Sequence, residues 1–193
     1  MTYSIRKATL EDIPELIDVS HKAYEPIRQL GLNFTGAYPT KENVRENLTE
    51  NQCYVLLKDD VIIATASIRM PWSKNPGPYG FPHIWWFATL PAYGNKGIGS
   101  RLLKHIEEEI ILKEYHSPAV TLGTSDDHPW LIDMYINKGY QTFGSIDLSD
   151  NHTTQYMLKV LDSHRFEGFS TIRNRIEKPK KKIIFEGGVT NAD

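Results

Sequence analysis

The run His83-Ile84-Trp85-Trp86-Phe87-Ala88-Thr89-Leu90 leads into Pro91-Ala92-Tyr93-Gly94-Asn95-Lys96-Gly97-Ile98-Gly99-Ser100, and from there into apolar positions that recur every three or four residues. A strand rich in aromatics therefore enters a glycine-rich turn, and the turn opens an amphipathic helix. Ile98, Leu102, Leu103, Ile106 and Ile110 line one side of this helix, and Glu107-Glu108-Glu109 wrap the rest as far as about Tyr115. Glycines let the backbone approach a ligand closely, and a helix start offers unpaired N–H groups at a positive dipole end. The combination suits a phosphate or pyrophosphate, with Lys96 and Arg101 adding positive charge.

The elements around this segment follow from the same periodicities. Residues 3–8 read as a strand, and Thr9-x-x-Asp12 reads as a capping box ahead of a helix that carries Ile13, Leu16, Ile17, Ser20 and Tyr24 and fades near Pro26. Residues 26–40, with Gly31, Gly36 and Pro39, read as a mobile connection, after which Thr40 caps a short helix holding Val44 and Leu48. Residues 53–58 and 61–70 form a hairpin across Asp59-Asp60. Four prolines and two glycines leave residues 71–82 without regular structure. Beyond the central helix come a strand over 119–124, a helix over 130–138 that Gly139 ends, and strands over 140–148 and 153–161. The order is β-α-α-β-β-β-α-β-α-β-β. The implied α/β (α+β) fold is a mixed, mostly antiparallel sheet with helices on both faces. Asp162 onward lacks clear periodicity, although residues 182–186 read as a further edge strand.

Spacing narrows the phosphate ligand. A Walker loop needs G-x-x-x-x-G-K-S/T, and Gly94-x-x-Gly97-x-Gly99 has no following Lys-Ser/Thr pair. The dinucleotide fingerprint G-x-G-x-x-G has its gaps in the reverse order. The segment resembles instead the acyl-CoA loop of the GCN5-related N-acetyltransferases (GNAT), roughly R/Q-x-x-G-x-G/A after a strand that ends in a small-hydrophobic-x-Pro run. Thr89-Leu90-Pro91-Ala92-Tyr93 followed by Gly94 to Gly99 fits that frame, with Gly94 standing where Arg or Gln is expected. Met134-Tyr135-Ile136-Asn137-Lys138-Gly139-Tyr140 resembles the family's L-Y-x-x-x-G-F/Y segment. The resemblance covers about residues 3–160, which sets an acetyltransferase domain at 1–161 and a C-terminal extension of unknown role at 162–193.

The resemblance implies transfer of an acetyl group from acetyl-CoA to a primary amine of a small molecule or a peptide, by direct attack. The sheet would open between its fourth and fifth strands. Backbone groups of Phe87, Ala88 and Thr89 would hold the pantetheine arm and polarise the thioester carbonyl. Asn95, Lys96, Gly97, Ile98, Gly99 and Ser100 would cradle the phosphates, and His128 matches a position where the family tends to place a CoA-contacting Asn. Tyr135 stands where a tyrosine often protonates the leaving thiolate. His83 replaces the family's strand glutamate, six residues before the position of Thr89, and is the candidate base; its unperturbed pKa of about 6.5 suits proton transfer near neutrality. Strand alternation sets His83, Trp85 and Phe87 on one face and Ile84, Trp86 and Ala88 on the other. Trp85 would line the acceptor pocket, between residues 25–40 and the loop 71–82.

Composition adds boundaries. A net charge of -2 over 193 residues gives no general reason to expect a nucleic-acid partner. The single cysteine, Cys53, allows no internal disulfide and reads as core. No stretch reaches the roughly 18 apolar residues of a membrane helix, and the N-terminus has no signal-like apolar run, so a cytoplasmic protein is expected. The seven histidines lack paired metal-ligand spacing, so no metal is expected. Asp126 or Asp127 reads as a helix cap, and residues 178–182 are a local basic run. A homodimer, paired through the tail at a sheet edge, is compatible with the pattern. Two further readings stand beside the enzyme: a non-catalytic acyl-CoA-binding or sensing module on the same fold, favoured by Gly94 and the absent glutamate, and a nucleotide-binding protein.

Overall fold

The computed structural model describes residues 2–32, 34–128, 130–149 and 152–168. Seven strands form one sheet in the order β1-β2-β3-β4-β5-β7-β6. They are β1 (Tyr3–Lys7), β2 (Gln52–Lys58), β3 (Val61–Arg69), β4 (His83–Thr89), β5 (Ala119–Ser125), β6 (Gln141–Ser149) and β7 (His152–Val160). All neighbours are antiparallel except β4 and β5. The hairpin of β2 and β3 turns at Asp59 and Asp60, both at positive φ, as a two-residue connection with the strands' own twist requires. The basic run 178–182 and the strand expected over 182–186 lie outside the described residues.

Helices cover both faces. On one face, α4 (Ile98–His105) packs Leu102 and Leu103, both buried, against Ile84, Val120, Leu122 and Met157. The α4 chain continues over Ile106–Glu114 with π-helical winding and ends with Tyr115 N–H donating to Ile110 O at 2.9 Å. That wider winding overturns one expectation: Glu107, read as part of the solvent face, is only 3% exposed. On the other face, α1 (Ile13–Ala23) and α3 (Lys41–Glu50) bury Ile13, Leu16, Val19 and Val44 against Val55, Leu57 and Ile62. Each such side chain contributes about 1.5–3 kcal/mol when fully withdrawn from water. The expected capping boxes are present: Thr9 N–H donates to Asp12 Oδ2 at 2.8 Å across the 3-10 turn Leu10–Asp12 that leads into α1, and Asn43 N–H donates to Thr40 Oγ1 at 3.2 Å at the start of α3.

Residues 26–40 differ from the expected connection. Pro26 sits in the first turn of a short helix, α2 (Glu25–Gln29), where its missing N–H leaves no bond unmade. Ile27, Leu32 and Ala37 then form their own small core. Arg28 ties the segment together, donating to Ala37 O at 2.7 Å and His21 O at 2.6 Å.

Candidate active site

Two irregularities in β4 make the site. Its pairing with β5 stops after His83–Thr121 and Ile84–Leu122, so the two strands diverge from there on. Gly123, one residue further along β5, is exposed although it lies mid-strand in the middle of the sheet. On the other edge, Thr65 of β3 pairs with Ala88 and Ser67 with Trp85, so β4 carries one residue more than its partner. This is a β-bulge. Trp86 takes it up with φ +46, an unusual conformation for a bulky side chain, and is held by burial and by its Nε1–H donating to Ser20 Oγ at 2.9 Å. Such strain costs on the order of 1–3 kcal/mol and persists where the surroundings over-determine it.

The bulge breaks the strict alternation expected along β4. Ile84 packs on the α4 face together with Phe87, whereas Trp85, Trp86 and Ala88 pack on the α1 face. Phe87 thus lies on the opposite face from Trp85, because the extra residue shifts the pleat by one. Backbone groups of Phe87 to Thr89 border the opening between β4 and β5. The Phe87 carbonyl accepts from the Tyr24 hydroxyl at 3.1 Å, a contact with no signal in the sequence beyond Tyr24's place at the end of an apolar stripe.

The glycine-rich segment begins after a turn of 3-10 helix at Pro91–Tyr93. Asn95 and Gly97 both have positive φ, at +56 and +75. The first helical bond is made by Arg101 N–H to Gly97 O at 2.9 Å, so the amides of Ile98, Gly99 and Ser100 have no intrahelical acceptor. Gly99 sits in a tight place: a Cβ there would stand 3.1 Å from Thr89 Oγ1 and 3.3 Å from the Phe87 ring. Ile98 turns its side chain into the core and offers only its amide, whereas Asn95, Lys96 and Ser100 are exposed. Lys96 Nζ is held by Ala92 O at 2.8 Å. A second cation arrives from elsewhere in the chain, Lys138 donating to Ser100 Oγ at 2.6 Å. Backbone N–H groups, a helix start and two lysines thus come together at one place, the chemistry that suits an anion.

Tyr135 lies on α5 (Leu131–Ile136), which ends at Gly139 with φ +88. Tyr140 N–H donates to Tyr135 O at 3.1 Å and Gly139 N–H to Ile136 O at 2.9 Å, the paired bonds of a Schellman ending. Neither Asp126 nor Asp127 caps this helix. Its N-cap position is Trp130, and no side chain caps it. Tyr135 is buried, with its ring 5.6 Å edge-on from Tyr140. Tyr140 in turn donates to Glu107 Oε1 at 2.6 Å, and Lys159 Nζ meets Glu107 Oε2 at 2.5 Å. Burial, with the Glu107 charge second, holds the Tyr135 phenol well above its ordinary pKa, so it stays protonated. Tyr24 is raised likewise, by burial and then by Tyr135.

His83 is 6% exposed, and its Nδ1 lies 2.9 Å from Thr121 Oγ1. Thr121 Oγ1 donates to Pro82 O at 3.3 Å, which leaves it to accept from Nδ1–H and leaves Nε2 without a proton. Burial, and then the charge of Arg69, push the imidazole down to about 3. It is neutral at physiological pH and a weak base, contrary to the pKa near neutrality assumed for a catalytic role. The loop 71–82 closes over it, since a Cβ on Gly77 would fall 2.0 Å from His83 Cβ. Trp85 sits edge-on to Trp86 at 5.6 Å and beneath Arg69. His128 is buried against Trp130, ring to ring at 4.5 Å, with Nδ1 unpartnered. Cys53 is core, its thiol pushed up to about 11 by burial. A cavity of about 10 Å³ beside it, lined by Ser20, Asn47 and Ser67 among others, has room for about one water and belongs to the α1–α3 layer. Among the described residues no helix is long and apolar enough to cross a membrane.

Residues 21–140 match the model of the Acetyltransferase (GNAT) family. The chain is 51% identical over 156 residues to S-(2-succino)cysteine N-acetyltransferase of Bacillus subtilis (strain 168), an alignment covering 81% of this chain and 94% of that one. It is 40% identical over 162 residues to S-alkylcysteine N-acetyltransferase of the same strain, covering 83% and 90%. Among solved structures, the PaiA N-acetyltransferase of Thermoplasma acidophilum in complex with coenzyme A superposes with a TM-score of 0.63 at 18% identity, over 83% of this chain and 99% of that one. The ribosomal-protein-S18-alanine N-acetyltransferase of Escherichia coli gives 0.63 at 15% identity, over 83% and 95%. With the opened sheet, the bulge and the glycine-rich helix start all present, this chain belongs to the GNAT family and is an N-acetyltransferase.

Proposed function

We propose that the protein transfers the acetyl group of acetyl-CoA to the α-amine of a small cysteine derivative substituted on sulfur. The observation that carries this reading is the extent of the likeness to two N-acetyltransferases of cysteine derivatives, at 51% and 40% identity over most of each chain. The family uses acetyl-CoA, and the residues here fit it. The amides at the start of α4, with Lys96 and Lys138, hold the pyrophosphate. The backbone of Phe87 to Thr89 would take the pantetheine arm and supply an N–H donor for the thioester oxygen that gains charge. Asn95 and Gly97 supply the left-handed turns of the cradle, and His128, with its Nδ1 unpartnered, is the further candidate contact for the cosubstrate.

The neutral amine attacks the thioester carbonyl, the C–S bond breaks, Tyr135 gives its proton to the departing thiolate, and the proton that the nitrogen loses as the amide forms returns through water to the phenolate. Burial keeps the phenol protonated, so a proton is in place beside the thiolate as the C–S bond breaks. The low basicity of His83 means that the acceptor sheds its ammonium proton to water, and His83 serves as a neutral wall of the acceptor pocket, with Trp85.

The test is a panel of amines with acetyl-CoA, read by release of CoA and by mass of the product. S-methylcysteine and S-(2-succino)cysteine are expected to be acetylated with a kcat/KM at least a hundredfold above that of a short peptide with a free N-terminal alanine. Preference for the peptide would remove the small-molecule reading and leave the acetyl transfer standing.

A further inference from the structure

Arg69 ends β3 directly opposite His83. Its guanidinium lies 3.6 Å above the Trp85 ring. The Nε of Arg69 is buried with no hydrogen-bond partner, and so is the Nε1 of Trp85. Among the described residues, no carboxylate pairs with Arg69. The contrast with other withdrawn charges is clear: Glu107 is met by Lys159 and Tyr140, and Arg28 by Glu25 and two carbonyls.

Arginine stays charged under all ordinary conditions and has five donors and no acceptor, while an indole N–H is a donor only. Two withdrawn donors side by side, one of them cationic and neither satisfied, are costly unless an anion completes them. The contact with Trp85 holds the guanidinium in place, and a guanidinium fork suits a planar, two-oxygen acceptor. Around the pair stand rings that bring no negative charge: His83 lies 6.0 Å from Tyr156, Tyr156 lies 6.5 Å from Phe143, and Tyr79 crosses Phe143 at 4.4 Å. The mechanism above uses neither Arg69 nor the indole N–H.

Resting on the reading of the acceptor as a small cysteine derivative, we propose that Arg69 and the Trp85 indole N–H form an anchor for a carboxylate of the acceptor. The anchor selects amino acids over simple amines and turns their nitrogen toward the bulge. Both the α-carboxylate and a carboxylate on the sulfur substituent have the required chemistry, and the substrates of the test separate them.

The experiment is steady-state acetylation of S-methylcysteine, S-methylcysteine carboxamide and S-(2-succino)cysteine by wild type, Arg69→Gln, Arg69→Lys and Trp85→Phe. Wild type is expected to prefer S-methylcysteine to its carboxamide. Arg69→Gln raises KM for the acid by about tenfold to a hundredfold, the scale of a lost charged hydrogen bond, and lowers kcat/KM for the carboxamide far less. Arg69→Lys recovers part of the loss, and Trp85→Phe, which keeps a ring under the guanidinium, gives a smaller shift in the same direction. Should Arg69→Gln fail to fold, the acid-to-carboxamide ratio of the other two variants decides. A loss confined to S-(2-succino)cysteine assigns the anchor to the substituent. Equal losses on acid and carboxamide, or equal use of both by wild type, without a selective loss on S-(2-succino)cysteine, overturn the anchor and leave the substrate reading intact. A wild type that acetylates none of the three overturns that reading, and the anchor with it.

Discussion

Removing the Glu107 carboxylate should be the most damaging single change outside the reaction centre. The side chain is 3% exposed and carries two close bonds, from the Tyr140 hydroxyl at 2.6 Å and from Lys159 Nζ at 2.5 Å. Breaking a buried pair by deleting one partner costs about 3–5 kcal/mol. Here the lower end applies. Lys159 keeps 25% of its side chain exposed and can turn to solvent, whereas the Tyr140 hydroxyl is enclosed and must stay unsatisfied. Glu107→Ala should therefore cost about 3 kcal/mol, or about 6–12 °C in Tm for a chain of this size. Tyr140→Phe should cost about 1–3 kcal/mol by removing one bond to a charged acceptor. Replacing the pair together, Glu107→Leu with Lys159→Met, should cost much less than the two single changes added, because no buried charge is left unpaired. Urea unfolding of the singles and the double measures the coupling. A loss below about 0.5 kcal/mol for Glu107→Ala, or strict additivity in the cycle, would refute the idea that this network holds Tyr140 and, through it, Tyr135.

Other perturbations reach the site from different sides. His83 stays neutral in the fold down to about pH 3, but in the unfolded chain it takes up a proton near pH 6.5. Stability should therefore fall as pH drops from about 6.5 toward 3, by up to about 1.4 kcal/mol per pH unit from this group. Urea titrations at pH 7 and pH 4.5 should show His83→Gln losing about 2–3 kcal/mol less than wild type between the two, and equal losses would contradict the buried neutral imidazole. Gly77→Ala places a methyl 2.0 Å from His83 Cβ, so the loop must lift at a cost of about 1–3 kcal/mol, and KM for the acceptor should rise while that for acetyl-CoA holds. A normal Tm with normal KM values would show that the loop does not bear on His83. Cys53, 2% exposed with its thiol pushed up to about 11, should resist thiol reagents at pH 8 until urea unfolds the chain; prompt labelling of the native protein would contradict its burial.

The elements that position the cleft were legible because each has a local cause. Alternation and turn chemistry gave the hairpin at Asp59-Asp60, 3.6-residue periodicity gave α1 and α4, and Gly139 with its left-handed φ gave the end of α5 and hence the setting of Tyr135. What the sequence did not carry arises from long-range packing. The bulge at Trp86 is an extra residue measured against β3, and nothing in the β4 sequence alone shows it. It moved Phe87 to the face opposite Trp85. A helical charge run predicts a solvent-facing Glu107, and the partners that allow its burial lie 33 and 52 residues away. Lys138 at Ser100 and Tyr24 at the Phe87 carbonyl are likewise contacts across elements. Arg69 closes a strand like many surface arginines. Only the absence of an acid beside it, visible in three dimensions, sets it apart. The depressed pKa of His83 follows from enclosure by the loop 71–82, which strand position does not encode.

Acetyl transfer in the opening beside Tyr135 is the central proposal. The direct measurement is the initial rate of CoA release from acetyl-CoA with saturating S-methylcysteine, in wild type and in Tyr135→Phe. A positioned general acid contributes typically 10²–10⁴-fold. The expected result is a kcat at least a hundredfold lower in Tyr135→Phe, with KM for acetyl-CoA near that of wild type and the N-acetylated product confirmed by mass. An undiminished kcat in Tyr135→Phe would contradict the assignment of the phenol as the thiolate's proton donor.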